Sequence, residues 1–184
     1  MKTNIYLVRH AHSTYTPDEL SRPLSVEGKQ EAIRVASKLQ NEKIDLVYAS
    51  PYKRAMETVQ GIADNIGKSI LVEEGFKERT LAESPVENFK LAIRKVWEDY
   101  DFRYDGGESN HMAQERGIQA LLKVLEKHEG KNIVVGTHGN LMVLMMNYFN
   151  HAYDFKFWQE LEMPDIYKLS FEQDRLIHVK RIWL

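Results

Sequence analysis

The sequence predicts an α/β fold: a three-layer α/β/α arrangement with a mainly parallel central sheet, a helical cap inserted into it and a C-terminal β-hairpin. Three observations carry that expectation. Short, nearly continuous apolar runs alternate with helical patterns, the order produced when a parallel sheet is covered by helices on both faces. A length of 184 residues suits one domain with a sizeable core and is too short for two. The chain then ends on two alternating runs that follow one another with only a turn between them.

Ile5 to Val8 is β-branched and aromatic between polar flanks, and reads as a buried strand. Ser25 offers an N-cap to a helix in which Ala32, Ala36 and Leu39 recur at helical spacing. Leu46 to Ala49 is a second buried strand, ending at Ser50-Pro51, where proline suits the first turn of a helix. That helix carries Ala55, Val59, Ile62 and Ile66 on one face and stops near Gly67. Ile70 to Val72 is a third strand. Residues 74–109 are long for a crossover: Phe89 to Tyr100 reads as helix and Asp105-Gly106-Gly107 as a turn, so a helical cap is expected within one domain spanning residues 1–184. Ile118, Leu121, Leu122 and Leu125 form the apolar stripe of the next helix. Ile133 to Gly136 is a fourth buried strand, followed by Thr137-His138-Gly139-Asn140 and a helix containing Leu141 to Phe149. Ile166 to Phe171 and Leu176 to Trp183 then make the hairpin, joined around Gln173-Asp174.

Composition removes several classes of function. Lys and Arg number 25 against 27 Asp and Glu, so no global basic field exists to gather nucleic acid or an anionic membrane. The absence of cysteine excludes disulfide scaffolds, thiolate metal sites and cysteine nucleophiles. No cleavable signal pattern opens the chain, and the apolar run Leu141 to Met146 is far short of a membrane span, so a cytoplasmic location is expected. The hairpin leaves an edge strand on which a homo-oligomer can form.

Chemistry gathers at the carboxyl ends of the strands, where parallel sheets open into a ligand crevice. The first strand delivers Arg9-His10 there and the fourth delivers Thr137-His138-Gly139; the second delivers Ser50 and, one helical turn later, Arg54. A single histidine at a strand end is an ordinary structural feature. Two at equivalent ends, with two arginines on the same rim, make a positive pocket whose natural guest is a phosphoryl group. Forked guanidinium donors hold the phosphoryl oxygens, and nearby cations keep a histidine neutral and able to attack phosphorus.

These residues lie in blocks that resemble the histidine phosphatase superfamily, in its phosphoglycerate-mutase-like branch. The blocks are Leu7-Val8-Arg9-His10-Ala11, Arg22-Pro23-Leu24-Ser25 running into Ala32, Tyr48-Ala49-Ser50-Pro51 running into Thr58, Gly106-Gly107-Glu108-Ser109, and Thr137-His138-Gly139. They occur in family order over most of the chain. The resemblance implies that His10 is the phosphorylated nucleophile, that Arg9, Arg54 and His138 hold the phosphoryl group, and that Glu78 is the proton donor, with Glu74 and Glu83 as rivals. It also implies substrate contacts from Ser13, Thr16 and Gly139, a small-molecule phosphomonoester as substrate, and no cofactor or metal. Ala11 stands where the family has glycine, and would be strained if that position needed a positive φ. Thr16 replaces the common asparagine.

Three alternatives stand beside a phosphomonoesterase. His10-Ala11-His12 is a His-x-His pair of the kind that binds a divalent ion, although Arg9 and Arg54 would repel a cation. A phosphoglycerate-type mutase is the second. Against it, Arg94-Lys95 and the isolated Arg103 give no tandem arginine pair, and Thr80-Leu81 lacks the tyrosine that mutases of the family carry after the acid. A non-catalytic phospho-ligand module is the third.

Overall fold

In a computed structural model that describes residues 1–184, the chain runs β1 (Lys2–Arg9), α1 (Val26–Leu39), β2 (Leu46–Ala49), α2 (Lys53–Asn65), β3 (Leu71–Val72), a 3-10 turn (Glu74–Phe76) and α3 (Phe89–Glu98). It continues through α4 (Asn110–Lys127), β4 (Asn132–Thr137), α5 (Gly139–Phe149), α6 (Phe155–Glu160), β5 (Asp165–Glu172) and β6 (Arg175–Arg181). The strands form one sheet in the order β3-β2-β4-β1-β5-β6. β3, β2, β4 and β1 are parallel neighbours; β5 and β6 return antiparallel as the C-terminal hairpin.

Side chains alternate across the sheet, so each apolar strand feeds two cores. Ile5, Leu7, Tyr48, Ile133 and Val135 face α3, α4 and α5, whereas Tyr6, Val8, Val47, Ala49 and Val134 face α1 and α2. Each such fully buried aliphatic side chain contributes about 1.5–3 kcal/mol, so the central strands hold the site's backbone rigid. Gly136 lets α2 lie close on β4: a Cβ there would stand 3.0 Å from the Ala55 carbonyl oxygen. No helix is long and apolar enough to cross a membrane.

Several elements depart from the sequence expectation. α2 begins at Lys53 rather than at Pro51, because the Ser50 hydroxyl accepts the Tyr52 N–H at 3.2 Å and holds an extra turn open before the helix. The third strand shrinks to Leu71–Val72, both exposed at the sheet edge. Residues 74–109 contain only the 3-10 turn and α3; the rest of the expected helical cap is irregular, interrupted around Ser84-Pro85 and Gly106-Gly107. α6, capped by Asp154 accepting the Phe157 N–H, has no counterpart in the sequence expectation.

Candidate active site

Pairing in register brings the ends of β1, β4 and β2 together. Arg9 lies opposite Thr137 and Ala49 opposite Gly136. The ladder runs one residue further, with His10 N–H donating to the Thr137 carbonyl at 3.0 Å and Ser50 N–H to the Gly136 carbonyl at 2.9 Å. His10 and His138 therefore enter the same crevice, their rings edge to face with centroids 5.2 Å apart.

The tautomer of His10 follows from its neighbour. Its Nδ1 lies 2.7 Å from the Ala11 carbonyl oxygen, which only accepts, so Nδ1 carries the proton and Nε2 keeps its lone pair. Loss of water and the charges of Arg54, Arg9 and Arg22 push the imidazole down from the usual 6.5 to about 3, against the opposing pull of the Ala11 bond. Ala11 itself is fully buried, and its N–H donates to Thr58 Oγ1 at 3.0 Å. Its φ is not positive, so alanine sits here without the strain that a glycine-only position would impose.

His138 is also fully buried. Burial first, then His10 and the arginines Arg54, Arg116 and Arg9, hold its pKa well below the usual histidine range. Its Nε2 lies 2.8 Å from Ser50 Oγ. That hydroxyl also accepts the Tyr52 N–H; when it gives its own proton to Nε2, the ring presents Nδ1–H as its free donor.

Three arginines surround the histidines. Arg9 gives Nη1 to the Leu161 and Glu162 carbonyls, both at 3.1 Å, and lies against the start of α5. Glycine at 139 makes that approach possible: a Cβ there would stand 2.8 Å from Arg9 Nε. Arg54, only 4% exposed, donates Nη1 to the Glu19 carbonyl at 2.9 Å and Nη2 to Glu19 Oε2 at 2.8 Å. Arg22 donates Nη2 to the Thr16 carbonyl at 2.8 Å, lies 3.0 Å from Glu19 Oε1, and covers the Tyr15 ring. Sequence reasoning missed Arg22 and Glu19 as site residues; the only signal was the place of Arg22 in the Arg-Pro-Leu-Ser block.

Glu78 sits at the N-terminus of α5. Its Oε1 accepts the Arg79 N–H at 2.8 Å and the Leu141 N–H at 3.0 Å. Its Oε2 accepts from the Asn140 backbone N–H at 3.1 Å and from Asn140 Nδ2 at 3.3 Å. The amide of Asn140 is oriented by its other end, where Oδ1 accepts from Trp97 Nε1 at 3.0 Å and Arg79 Nη2 at 3.3 Å. The loop carrying Glu78 hangs from Arg116, whose Nη1 donates to the Gly75 and Lys77 carbonyls at 2.8 and 2.9 Å. Glu108 in turn accepts from Arg116 Nε at 2.8 Å and from the Thr80 N–H at 3.0 Å. Burial alone would raise the Glu108 carboxyl, but Arg116, the Thr80 N–H and Lys77 outweigh it and hold it below the usual range. The Gly106-Gly107-Glu108-Ser109 block thus anchors the acid-bearing loop and caps α4, through Ser109 accepting the Met112 N–H.

The rest of the expected set is not brought to the same point. Glu74 and Glu83 are exposed. Ser13 is half-buried and forms an isolated bridge with Leu24. Thr16 uses its hydroxyl within its own loop, donating to the Asp18 carbonyl at 2.9 Å. His12 is exposed with Nδ1 2.8 Å from Ser25 Oγ, so it makes no pair with His10 around a common centre. No group of three His, Asp or Glu side chains is placed to hold a metal ion.

Six buried side-chain nitrogens find no partner in the chain. Three of them, Arg9 Nε, Arg22 Nε and His138 Nδ1, belong to the residues around His10, and two more, Arg79 Nε and Asn110 Nδ2, lie in the wall behind Glu78. Buried donors are nearly always satisfied, so a cluster of them is suited to an anion with several acceptor oxygens.

The family model of the histidine phosphatase superfamily (branch 1) matches residues 5–182. Phosphoglycerate mutase-like protein 4 of Arabidopsis thaliana is 36% identical over 154 residues, covering 75% of this chain and 67% of that protein. Phosphoserine phosphatase 1 of Hydrogenobacter thermophilus is 30% identical over 147 residues, covering 73% and 70%. Among solved structures, a mycobacterial glucosyl-3-phosphoglycerate phosphatase superposes with a TM-score of 0.80 over 98% of this chain and 97% of that one; at 17% identity this is a likeness of fold.

Proposed function

The chain belongs to the histidine phosphatase superfamily, branch 1, and from that premise we propose that it is a metal-independent phosphomonoester hydrolase acting through a phosphohistidine on His10. The observation that carries the reading is a neutral histidine with a free Nε2 lone pair, surrounded by buried donors that have no partner in the chain. A phosphoryl group supplies the acceptors those donors need and the electrophile that the lone pair needs.

In the first step His10 Nε2 attacks phosphorus and the ester P–O bond breaks. Arg9, Arg54 and His138 Nδ1–H hold the equatorial oxygens while charge builds on them. Glu78, as the proton donor, gives a proton to the leaving oxygen. The four N–H groups aimed at its carboxyl then receive the carboxylate without rearrangement. In the second step water attacks phosphohistidine, Glu78 takes the water's proton, the N–P bond breaks and inorganic phosphate leaves. His10 Nδ1–H stays on the Ala11 carbonyl throughout, so the ring is ready for the next turnover.

Small phosphomonoesters are the proposed substrates, in line with the phosphoserine phosphatase among the relatives. A mutase remains the second reading, favoured by the mutase-like relative. The missing tandem arginine pair speaks against it, because a mutase must hold its intermediate long enough to outrun water. The test is phosphate release from an aryl phosphate and a panel including phosphoserine and 3-phosphoglycerate, after exhaustive chelation, with His10→Ala alongside. Chelator-resistant release that the variant abolishes, while vanadate still binds it, is the expected result. Loss of release on chelation would overturn metal independence, and phosphoryl exchange between substrates without net release would identify a mutase.

A further inference from the structure

We propose that Glu19 is an internal competitor for the phosphoryl site, whose carboxylate occupies Arg54 and Arg22 until the substrate displaces it. The inference deepens the phosphatase reading, because it rests on Arg54 being a phosphoryl holder. Arg54 is 4% exposed, and both of its terminal nitrogens are committed to one residue, Nη1 to the Glu19 carbonyl and Nη2 to Oε2. The second carboxylate oxygen lies 3.0 Å from Arg22. A single exposed side chain thus bridges two of the three arginines whose charge depresses His10.

The anchoring of the loop lets the side chain leave while the backbone stays. Leu20, the next residue, donates its N–H to Asp18 Oδ1 at 3.0 Å and accepts the Lys53 N–H at 2.9 Å, which fixes the strap to the start of α2. The Glu19 carbonyl can therefore keep its bond to Arg54 Nη1. The Glu19 side chain, 53% exposed, has no partner beyond the two arginines and swings into water once an incoming anion takes over their charge. Arg54, buried, has no comparable freedom.

Competition of this kind selects by charge. A phosphoryl dianion presents more charge and more acceptor oxygens than a carboxylate and displaces it; a singly charged or neutral ligand does so poorly. After hydrolysis the same carboxylate returns and helps to expel inorganic phosphate. Glu19 is therefore an affinity-setting residue that touches the site's arginines and takes no part in bond making.

The experiment titrates orthophosphate into wild type, Glu19→Gln, Glu19→Ala and Glu27→Gln by calorimetry at fixed ionic strength, and measures KM and kcat on an aryl phosphate. Glu27 is exposed in the first turn of α1, so its variant removes one charge without touching either arginine. Both Glu19 variants should bind orthophosphate about fivefold tighter, the scale of an ion pair with one partner in water, and KM should fall by a similar factor with no gain in kcat. Unchanged or weaker phosphate binding would overturn the proposal and make Glu19 a support for Arg54. Equal tightening in Glu27→Gln would overturn it as a general field effect. If wild type hydrolyses nothing while the Glu19 variants tighten orthophosphate binding, the hydrolase reading fails and this one stands.

Discussion

Holding two histidines neutral inside an arginine cluster makes the stability of the fold depend on pH in a way that a single substitution can isolate. Burial and the three arginines bring His10 from 6.5 to about 3. In the unfolded chain the group regains a value near 6.5. Below that pH the unfolded state takes up a proton that the native state refuses, so this contribution is fully present above pH 6.5 and is lost as pH falls toward the folded value. Each pH unit below the unfolded value is worth about 1.4 kcal/mol, so His10 alone removes up to about 2 kcal/mol between pH 7 and pH 5. His10→Asn keeps a polar side chain of related shape and cannot titrate. Urea unfolding in phosphate-free buffer at the two pH values should show wild type losing up to about 2 kcal/mol more than the variant. The residual slope common to both proteins reports His138 and the remaining groups. Equal losses would refute the claim that the fold holds His10 neutral.

Glu78→Gln should slow alkyl phosphates by about 10²–10⁴ while leaving an aryl phosphate with a good leaving group far less affected; equal losses on both would move the proton donor to another residue. Gly139→Ala should push the Arg9 guanidinium off the start of α5, because the new methyl would stand 2.8 Å from Nε. The expected result is a rise in KM and in the inhibition constant of orthophosphate by roughly tenfold or more, the scale of an overpacked contact, with the thermal midpoint little changed. An unaltered KM would mean that Arg9 does not hold the phosphoryl group from this position.

The strands and the two histidine-bearing ends were legible because buried parallel strands leave continuous apolar runs, and the residue after each run is fixed at the sheet's carboxyl edge. Ser25 was readable as a cap from its place just before a helical pattern. The helix start at Lys53 was not, since a side-chain bond from Ser50 to the Tyr52 N–H overrode the preference of Pro51 for a first turn. Within residues 74–109 the pattern from Phe89 to Tyr100 is helical over Phe89–Glu98, while the segments on either side are held by tertiary bonds such as Glu83 N–H to the Asp105 carbonyl and Glu108 N–H to the Thr80 carbonyl. Glu19 and Arg22 were invisible for a different reason. A glutamate and an arginine in a polar loop have the pattern of solvated surface, and only the folded strap brings them to Arg54.

The resulting charge pattern explains why the acids lie where they do. A site that gathers guanidinium groups must bury cations before any anion arrives, and unpaired buried charge destabilises the native state. Glu19 offsets Arg54 and Arg22 from the solvent side and is free to leave. Burial lowers both Arg9 and Arg79, and Glu78 lies close enough to oppose that lowering in each; it is itself tied down by α5. Arg79 has no carboxylate directly on its fork; Asn110 and Asn140 supply neutral oxygens instead, at 2.6 and 3.3 Å. Those neutral partners leave the carboxylate of Glu78 to the first turn of α5 and keep Arg79 from pulling it out of the crevice. On the proposed mechanism one acid is mobile because phosphate must take its place, and the other is fixed because a proton must be delivered from a defined point.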